Sequence, residues 1–284
     1  MTGVSGMASR EVAKSLLPDP VVRSVQAVLI RRAYRRSVRT KPIDLSRLEL
    51  IREASIEQLS DPTYIEQDLL PRLGLNDETG HFPSSLQPFI GEGLLCWQYP
   101  NQFSKYLVHL SRQGIESYLE IGIRHGGTFV ITIEYLSRFN PIREAAGVDL
   151  GHSPTLQEYA ASRPGVTVIQ ASSHDDGFKE FVRGHEPFDL ILIDGDHSRE
   201  GCQEDFELVR DHGRVLVLHD IVSQPVPGVA AVWQEVRRLH EESFEFIEFT
   251  DQYPSFIRER GGEFLGIGVA QRRNEGRASE RAHV

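Results

Sequence analysis

The sequence predicts a three-layer α/β sandwich with a mostly parallel seven-stranded sheet and an N-terminal helical extension. From residue 111 onward, short apolar runs alternate with helical segments, as in a parallel sheet that helices cover on both faces. Before that point, apolar residues recur at helical spacing and no run is typical of a strand. We therefore divide the chain into a helical extension or lid (1–110), a sheet domain (111–270) and a flexible polar tail (271–284).

The extension is expected to contain three helices. Apolar spacing predicts the first helix over 20–38, and Asp44 is a start signal for a second. A third, short helix is predicted to begin at Asp61-Pro62. Residues 74–93 contain the Gly, Asn, Pro and Ser that favour loops, so the extension should be helical and interrupted.

The sheet domain is expected to alternate strands with helices along its whole length. The seven strands are predicted at 117–121, 145–149, 166–170, 190–193, 214–218, 244–249 and 265–269. The helices between them are predicted at 128–137, 155–161, 178–183, 199–211 and 230–240.

Composition excludes several classes of protein. With 284 residues, of which 39% are hydrophobic, the chain can bury a sizeable core, which excludes global disorder. No run approaches the roughly 18–20 apolar residues of a membrane span, and residues 1–14 lack the apolar stretch of a signal peptide. Cys96 and Cys202 have no paired spacing and suit a reducing compartment. We expect a cytoplasmic protein that does not bind membranes.

The charge distribution argues against a nucleic-acid partner. The net charge is -10, and the chain has no basic surface interleaved with aromatic residues. One basic run, between Arg31 and Lys41, is either a solvated helix face or a patch for a partner or an anionic substrate. The expected partner is a small-molecule substrate, and a homo-oligomer is left open.

A glycine-rich turn follows the first predicted strand. Glu120 lies in the strand, the turn runs from Gly122 to Gly127, and a helix begins near Thr128. Glycines let a ligand approach the backbone, and a helix N-terminus offers free N–H groups. Asp149 ends the next strand, where a carboxylate can accept both hydroxyl protons of a ribose. A structural turn and a dinucleotide site are the alternatives, but the G-x-G-x-x-G pattern is missing and Glu120 would repel phosphates.

Acidic and imidazole side chains follow two later strands. Asp194 and His197 come after the fourth strand, and His219 and Asp220 end the fifth. The carboxyl ends of parallel strands lie together, so these four side chains should converge in one cavity. Carboxylates with neighbouring donors can hold Mg²⁺, and a histidine beside them can act as general base.

The segment L-E-I-G-x-x-x-G-G-T resembles the first motif of class I S-adenosylmethionine (SAM) dependent methyltransferases, which have a Rossmann-like fold. The resemblance implies that SAM is the cofactor and that Asp149 binds its ribose. Ser172 and Ser173 follow the third strand, where the family contacts adenine. The further cofactor-binding residues implied are Glu120, Gly122, Arg124, Gly126, Gly127, Thr128 and Asp194.

D-G-D-H-S followed by L-H-D-I resembles a branch containing cephalosporin hydroxylase-like proteins and macrolide sugar O-methyltransferases. This resemblance covers roughly residues 97–270 and implies a Mg²⁺ site at Asp194, His219 and Asp220, with His197 as base. His219 stands where the sugar-methylating relatives have an acid, and Mg²⁺ prefers oxygen ligands. His219 is therefore either a metal ligand or a second catalytic group.

The expected activity is methyl transfer from SAM to an oxygen of a small molecule, such as a sugar or another hydroxyl group of a secondary metabolite. His197 would take the hydroxyl proton. Two other interpretations are a regulatory protein that binds SAM without turnover and a metal-dependent hydroxylase. The second is disfavoured because the chain lacks a convincing spacing of two histidines and a carboxylate for iron. An RNA methyltransferase is disfavoured by the acidic charge.

Overall fold

The structure is a computed structural model that describes residues 32–77, 82–254, 257–258 and 261–273. Its centre is a seven-stranded sheet with the strand order β3-β2-β1-β4-β5-β7-β6. β1 to β5 are parallel, and β7 runs antiparallel to both of its neighbours, β5 and β6. The strands are β1 Ser117–Ile121, β2 Glu144–Asp149, β3 Val166–Gln170, β4 Phe188–Ile193, β5 Gly213–His219, β6 Phe244–Phe249 and β7 Ile267–Arg272.

Six longer helices pack on the two faces of this sheet and complete the three predicted layers. In the order of the chain, α1, α2 and α3 belong to one face, and α4, α5 and α6 to the other. The helices are α1 Pro100–Leu110, α2 Gly127–Leu136, α3 Pro154–Ser162, α4 Asp176–Gly184, α5 Arg199–Val209 and α6 Pro227–Leu239. The fold class predicted from the sequence is confirmed.

The central strands are apolar on both faces because each face is covered. In β4, Leu190 and Leu192 pack into one core, while Ile191 and Ile193 pack into the other. Side chains alternate along a strand, so a continuous apolar run supplies two cores at once. The helices show the complementary pattern: the buried residues of α6 recur at helical spacing and form one apolar stripe.

The N-terminal region is helical, but more interrupted than predicted. The predicted second helix is a 3₁₀ turn Leu45–Leu48 continued by a helix Glu49–Glu53, and a separate helix Ile56–Ser60 follows. The break has a local cause, because Ser55 and Gln58 form a capping box that starts a new helix. Further short helical segments are Pro62–Tyr64, Ile65–Leu69 and Leu70–Leu73, and a 3₁₀ turn, Ser84–Phe89, lies within the predicted loop 74–93.

Element boundaries mostly agree with prediction to within three residues, but β7 is displaced. It was predicted at 265–269 and is Ile267–Arg272, because Leu265 and Gly266 have positive φ angles of 60° and 95° and form a turn. The tail was predicted from 271, but residues 271 and 272 belong to β7. Residues 274–284, and the part of the first predicted helix before residue 32, lie outside the described residues.

One consequence of the fold determines where a ligand site lies. β1, β4 and β5 are neighbours that end at Ile121, Ile193 and His219, so the loops after them share one edge of the sheet. A ligand at the carboxyl edge of a parallel sheet binds among such loops. In the part of the chain that the structure describes, no helix has the length and apolar character to cross a membrane.

Candidate functional site

Two adjoining cavities lie at the carboxyl edge of the sheet. One has a volume of about 340 Å³ and the other of about 310 Å³. They meet at Tyr34, Gly122, Asp194, Gly195 and His197, which line both. Together they form a cleft across the ends of β1, β2, β3, β4 and β5.

Every site residue predicted from the sequence lines this cleft. The smaller cavity contains Asp149, Ser172 and Ser173. The larger cavity contains the residues of the glycine loop and the acidic and imidazole side chains. These are Glu120, Gly122, Arg124, Gly126, Gly127, Thr128, Asp194, His197, His219 and Asp220.

Strained backbone is concentrated around the larger cavity. Four non-glycine residues have a positive φ in the described part of the chain: Leu95, Arg124, Asp220 and Leu265. All four line the larger cavity. Such conformations cost of order 1–3 kcal/mol each and cluster at functional sites, because the surrounding structure must hold them in place. This clustering favours the cavity as the candidate functional site, on grounds that do not depend on any motif.

The glycines of the loop allow protein segments, rather than only a ligand, to approach closely. Gly122 has a φ of +90°, and a Cβ there would collide with the carbonyl of Asp194. At Gly126, a Cβ would collide with the side chain of Leu156, and at Gly127 with the carbonyl of Leu94. A side chain at Gly126 would therefore be directed at α3 rather than into the cavity.

Asp149 is a buried carboxylate with three donors around it. Its Oδ2 accepts hydrogen bonds from the Tyr34 hydroxyl (2.8 Å) and the backbone N–H of Arg124 (2.7 Å), and its Oδ1 from the N–H of Gly151 (2.5 Å). The side chain is 6% exposed. Burial raises the pKa of Asp149, and the donors from Gly151, Tyr34 and Arg124 oppose this shift.

Glu120 is the second buried carboxylate of the cleft. Its side chain accepts a hydrogen bond from the Tyr118 hydroxyl. Burial, opposed by this hydrogen bond and reinforced by the negative charge of Asp194, raises the pKa of Glu120 to about 8. A positively charged group entering the cavity would offset the cost of ionising Glu120. An amino group is such a partner, whereas a phosphate is not.

Asp194 joins two imidazoles. Its Oδ1 lies 2.9 Å from Nδ1 of His219 and 3.1 Å from Nε2 of His197. Asp220 Oδ2 lies 3.5 Å from the same nitrogen of His219 and 3.6 Å from that of His197. Burial would lower the pKa of both imidazoles, but the two carboxylates outweigh it and raise both values. Burial raises the pKa of Asp194, but the two imidazoles lower it by more. The pKa of Asp194 therefore lies below its usual range.

The same cluster has the composition of a metal site. Asp194, His219 and Asp220 each offer a ligand atom, and these atoms lie within 4.8 Å of one another. One buried oxygen, Oδ1 of Asp220, and one buried nitrogen, Nε2 of His219, have no hydrogen-bond partner. The two carboxylates fit a hard divalent cation, and the imidazole makes the set less selective for Mg²⁺.

The outer wall of the larger cavity is apolar and aromatic. The guanidinium of Arg124 lies over the ring of Trp97, 4.1 Å from its centroid. Trp97 itself lines the cavity. Pro225, Val226 and Phe264 also line this cavity.

Several residues of the cleft were missed by the sequence analysis. Tyr34 lies in the basic run, which is defined by its arginines, and Leu265 lies at the start of a predicted strand. His174 lines the smaller cavity beside Ser173, and its Nε2 lies 3.2 Å from Oδ1 of the fully buried Asp205. His174 directly follows Ser172 and Ser173, the predicted adenine contacts, and this position could have indicated it. No sequence pattern indicated Tyr34.

Residues 119–221 match the family model of a methyltransferase domain. The match runs from β1 to the residue after Asp220 and therefore spans the glycine loop, Asp149 and the Asp194 cluster. The segment 119–221 is therefore similar to a methyltransferase domain, and the parallel sheet that contains it is Rossmann-like.

Comparison with curated protein sequences finds no match. Among solved structures, the chain is similar to an O-methyltransferase from Bacillus cereus in complex with S-adenosylhomocysteine (SAH), with 16% identity over 83% of this chain and 94% of that one, and a TM-score of 0.43. TomG, an O-methyltransferase from Streptomyces achromogenes in complex with SAM, has 20% identity over 63% of this chain and 82% of that one, with a TM-score of 0.41.

The methyltransferase MycE of mycinamycin biosynthesis, in complex with Mg, SAH and mycinamycin VI, has 18% identity and a TM-score of 0.41. The similarity covers 65% of this chain, which spans about half (52%) of the MycE chain.

Proposed function

We propose that the protein transfers a methyl group from SAM to a hydroxyl oxygen of a small molecule. The observation that carries this proposal is the juxtaposition at Asp194. Its side chain borders both cavities, so a cofactor held by the glycine loop and Asp149 would meet the paired imidazoles at this residue.

The cofactor would extend across both cavities. Asp149 would accept hydrogen bonds from the ribose hydroxyls, and Ser172 and Ser173 would border the adenine in the smaller cavity. The methionine part would lie in the larger cavity, where its amino group would offset the charge of the buried Glu120. The N-terminus of α2 begins at Gly127 and would face the carboxylate of the methionine part.

His197 is the proposed general base. If Nε2 carries the proton and donates a hydrogen bond to Asp194, then Nδ1 holds a lone pair. This lone pair can accept the proton of the acceptor hydroxyl. The acceptor oxygen attacks the methyl carbon, the bond from that carbon to sulfur breaks with its electrons on sulfur, and SAH and a methyl ether result. His219 is buried and is proposed to orient Asp194 rather than to touch the acceptor.

A divalent cation is proposed at the same cluster. Asp194 and Asp220 would hold it through carboxylate oxygens, with His219 as a nitrogen ligand. When bound, the cation would lower the pKa of a hydroxyl group that contacts it. The neighbouring histidines and the loop after β5 would then set the direction from which the acceptor approaches.

The proposed acceptor is a glycosylated or otherwise hydroxylated secondary metabolite. Trp97, Phe264 and Pro225 offer flat apolar surfaces, which suit a ring face, while the acidic and imidazole groups meet its hydroxyl groups. The described part of the extension is proposed to cover this side of the cleft, since Trp97 and Tyr34 both come from it.

The experiment is a methyl-transfer assay with SAM and a panel of sugars, phenols and glycosylated compounds, in which mass spectrometry detects SAH and the methylated product. We expect SAH to form in equal amount with a product heavier by one methyl group in place of a hydrogen. A chelator should reduce the rate if the cation is required, and added Mg²⁺ should restore it. SAM binding without transfer to any acceptor would instead favour a regulatory SAM-binding protein.

A further inference from the structure

Tyr34 belongs to the N-terminal extension but reaches the centre of the cleft. It lies on the helical segment 32–40, more than 80 residues before β1. Its side chain lines both cavities, and its hydroxyl donates a 2.8 Å hydrogen bond to Oδ2 of Asp149. Burial raises the pKa of Tyr34, and the charge of Asp149 adds to this shift, so the hydroxyl remains a donor across the neutral range.

The segment that carries Tyr34 is attached to the sheet domain at its other end. Val38 is 1% exposed and packs against Gly151, where an added Cβ would lie 2.9 Å from the valine side chain. The carbonyl of Lys41 lies 3.2 Å from Nδ1 of His125, and the Lys41 ammonium pairs with Asp77. Tyr34 therefore lies on a helix whose carboxyl end is anchored.

The hydrogen bonds that Asp149 already accepts leave too few acceptor positions for two ribose hydroxyls. Each carboxylate oxygen accepts about two hydrogen bonds. Oδ2 already has two donors, the Tyr34 hydroxyl and the Arg124 N–H, whereas Oδ1 has one, the Gly151 N–H. A ribose that donates one hydrogen bond to each oxygen can therefore bind Oδ1 but not Oδ2. Because the loop fixes the backbone donors, Oδ2 becomes available only when the Tyr34 hydroxyl leaves it.

We propose that the Tyr34 hydroxyl takes the place of a ribose hydroxyl. It donates a hydrogen bond to Oδ2 of Asp149 when no cofactor is bound, and it leaves Oδ2 when the cofactor binds. This inference rests on the proposed function, which assigns Asp149 to the ribose. The substitution has a physical reason, because Asp149 is 6% exposed and a buried carboxylate that lacks a donor is costly. The same exchange in reverse would help SAH to leave.

The test is Tyr34→Phe, which keeps the ring and removes the hydroxyl. Titration calorimetry should show that the variant binds SAH roughly 2- to 12-fold more tightly than the wild type, the range that corresponds to one net hydrogen bond. The variant should also have a lower melting temperature without ligand and a larger rise in melting temperature on adding SAH. A merely structural role would lower the melting temperature without changing the affinity.

Tyr159→Phe is the matched control. The Tyr159 hydroxyl also donates a 2.8 Å hydrogen bond to a buried carboxylate, Oε1 of Glu134, but neither residue lines either cavity. This variant should lose stability and bind SAH with the affinity of the wild type.

Two other results would overturn the inference in distinguishable ways. If the wild type binds SAH and Asp149→Ala weakens that binding, but Tyr34→Phe leaves the affinity unchanged or reduces it, then Tyr34 is not a substitute for the ribose and the proposed function stands. If the wild type does not bind SAH, or if Asp149→Ala binds it like the wild type, then the assignment of Asp149 and this inference fail together.

Discussion

Nδ1 of His219 lies 2.9 Å from Oδ1 of Asp194, and this contact joins the ends of two neighbouring strands. β4 and β5 pair in parallel with Ile193 opposite Leu218, so the next residues along each strand, Asp194 and His219, emerge side by side. His197, three residues farther along the chain than Asp194, reaches the same oxygen. The cluster is therefore a consequence of sheet register, and its members are expected to act together.

The first prediction concerns His197. His197→Ala should lower turnover by roughly 10²- to 10⁴-fold, the usual contribution of a general base, and leave the dissociation constant of SAH nearly unchanged. Steady-state rates and calorimetry measure the two quantities separately. His212→Ala is the control, since His212 precedes β5 at the opposite edge of the sheet and should retain full activity. If His197→Ala retains full activity, the assignment of His197 as base is wrong and His219 becomes the candidate.

The second prediction concerns Asp149. Asp149→Ala should weaken SAM and SAH binding by about 1.5–3 kcal/mol, because hydrogen bonds to a charged acceptor contribute on this scale. Calorimetry measures the change. Asp189→Ala is the comparison, because Asp189 also accepts backbone hydrogen bonds, from Glu116 and Ser117, but lies at the amino end of β4. Its loss should reduce stability alone. Equal effects of both substitutions on binding would show that Asp149 acts only through the fold.

The sheet and the cluster at its edge could be predicted because both follow from local pattern. Apolar runs separated by helices specify a parallel sheet, and polar residues directly after such runs must then meet at its carboxyl edge. Asp194, His219 and Asp220 were found in this way. The divided helix at Ser55 was missed because a capping box competes with apolar periodicity, and both patterns are present in that segment.

Tyr34 could not be predicted, because its position depends on how a distant helix docks. Its contact with Asp149 spans 115 residues, and the helix is positioned by Val38 on the small surface of Gly151. The role of the glycines was predicted only in part for a similar reason. A sequence shows that Gly122 permits close approach, but only the folded chain shows that the carbonyl of Asp194 is what approaches.

The third prediction tests that close approach at Gly122. Gly122→Ala combines an unfavourable φ of +90° with a collision against the Asp194 carbonyl, so it should displace the loop after β4, destabilise the protein and abolish SAH binding. Gly114→Ala is a matched control with a φ of +60° and no atom within 4 Å of the added Cβ. It should cost only the conformational term, about 1–2 kcal/mol, and retain binding. Denaturant unfolding and calorimetry would show whether the two variants differ in this way.

The last prediction concerns the pH dependence of stability and His125, a buried histidine of the glycine loop. Burial, reinforced by the positive charge of Arg124, lowers the pKa of His125 to about 4, while its hydrogen bond to the Lys41 carbonyl acts in the opposite direction. In the unfolded chain a histidine titrates near 6.5. Between these values the unfolded state binds the proton and the folded state does not. The contribution of His125 to the free energy of unfolding is therefore fully present above about pH 6.5. It is lost progressively as the pH falls towards 4.

His125→Asn retains a side-chain N–H that can reach the Lys41 carbonyl but cannot titrate in this range. Between pH 7 and pH 4, the free energy of unfolding of the wild type should fall by up to about 3 kcal/mol more than that of the variant. Denaturant unfolding at a series of pH values measures both curves. Parallel curves would mean that His125 is protonated in the folded protein at acidic pH. The contact that anchors Lys41 would then be donated by a charged imidazole, with no contribution to acid sensitivity.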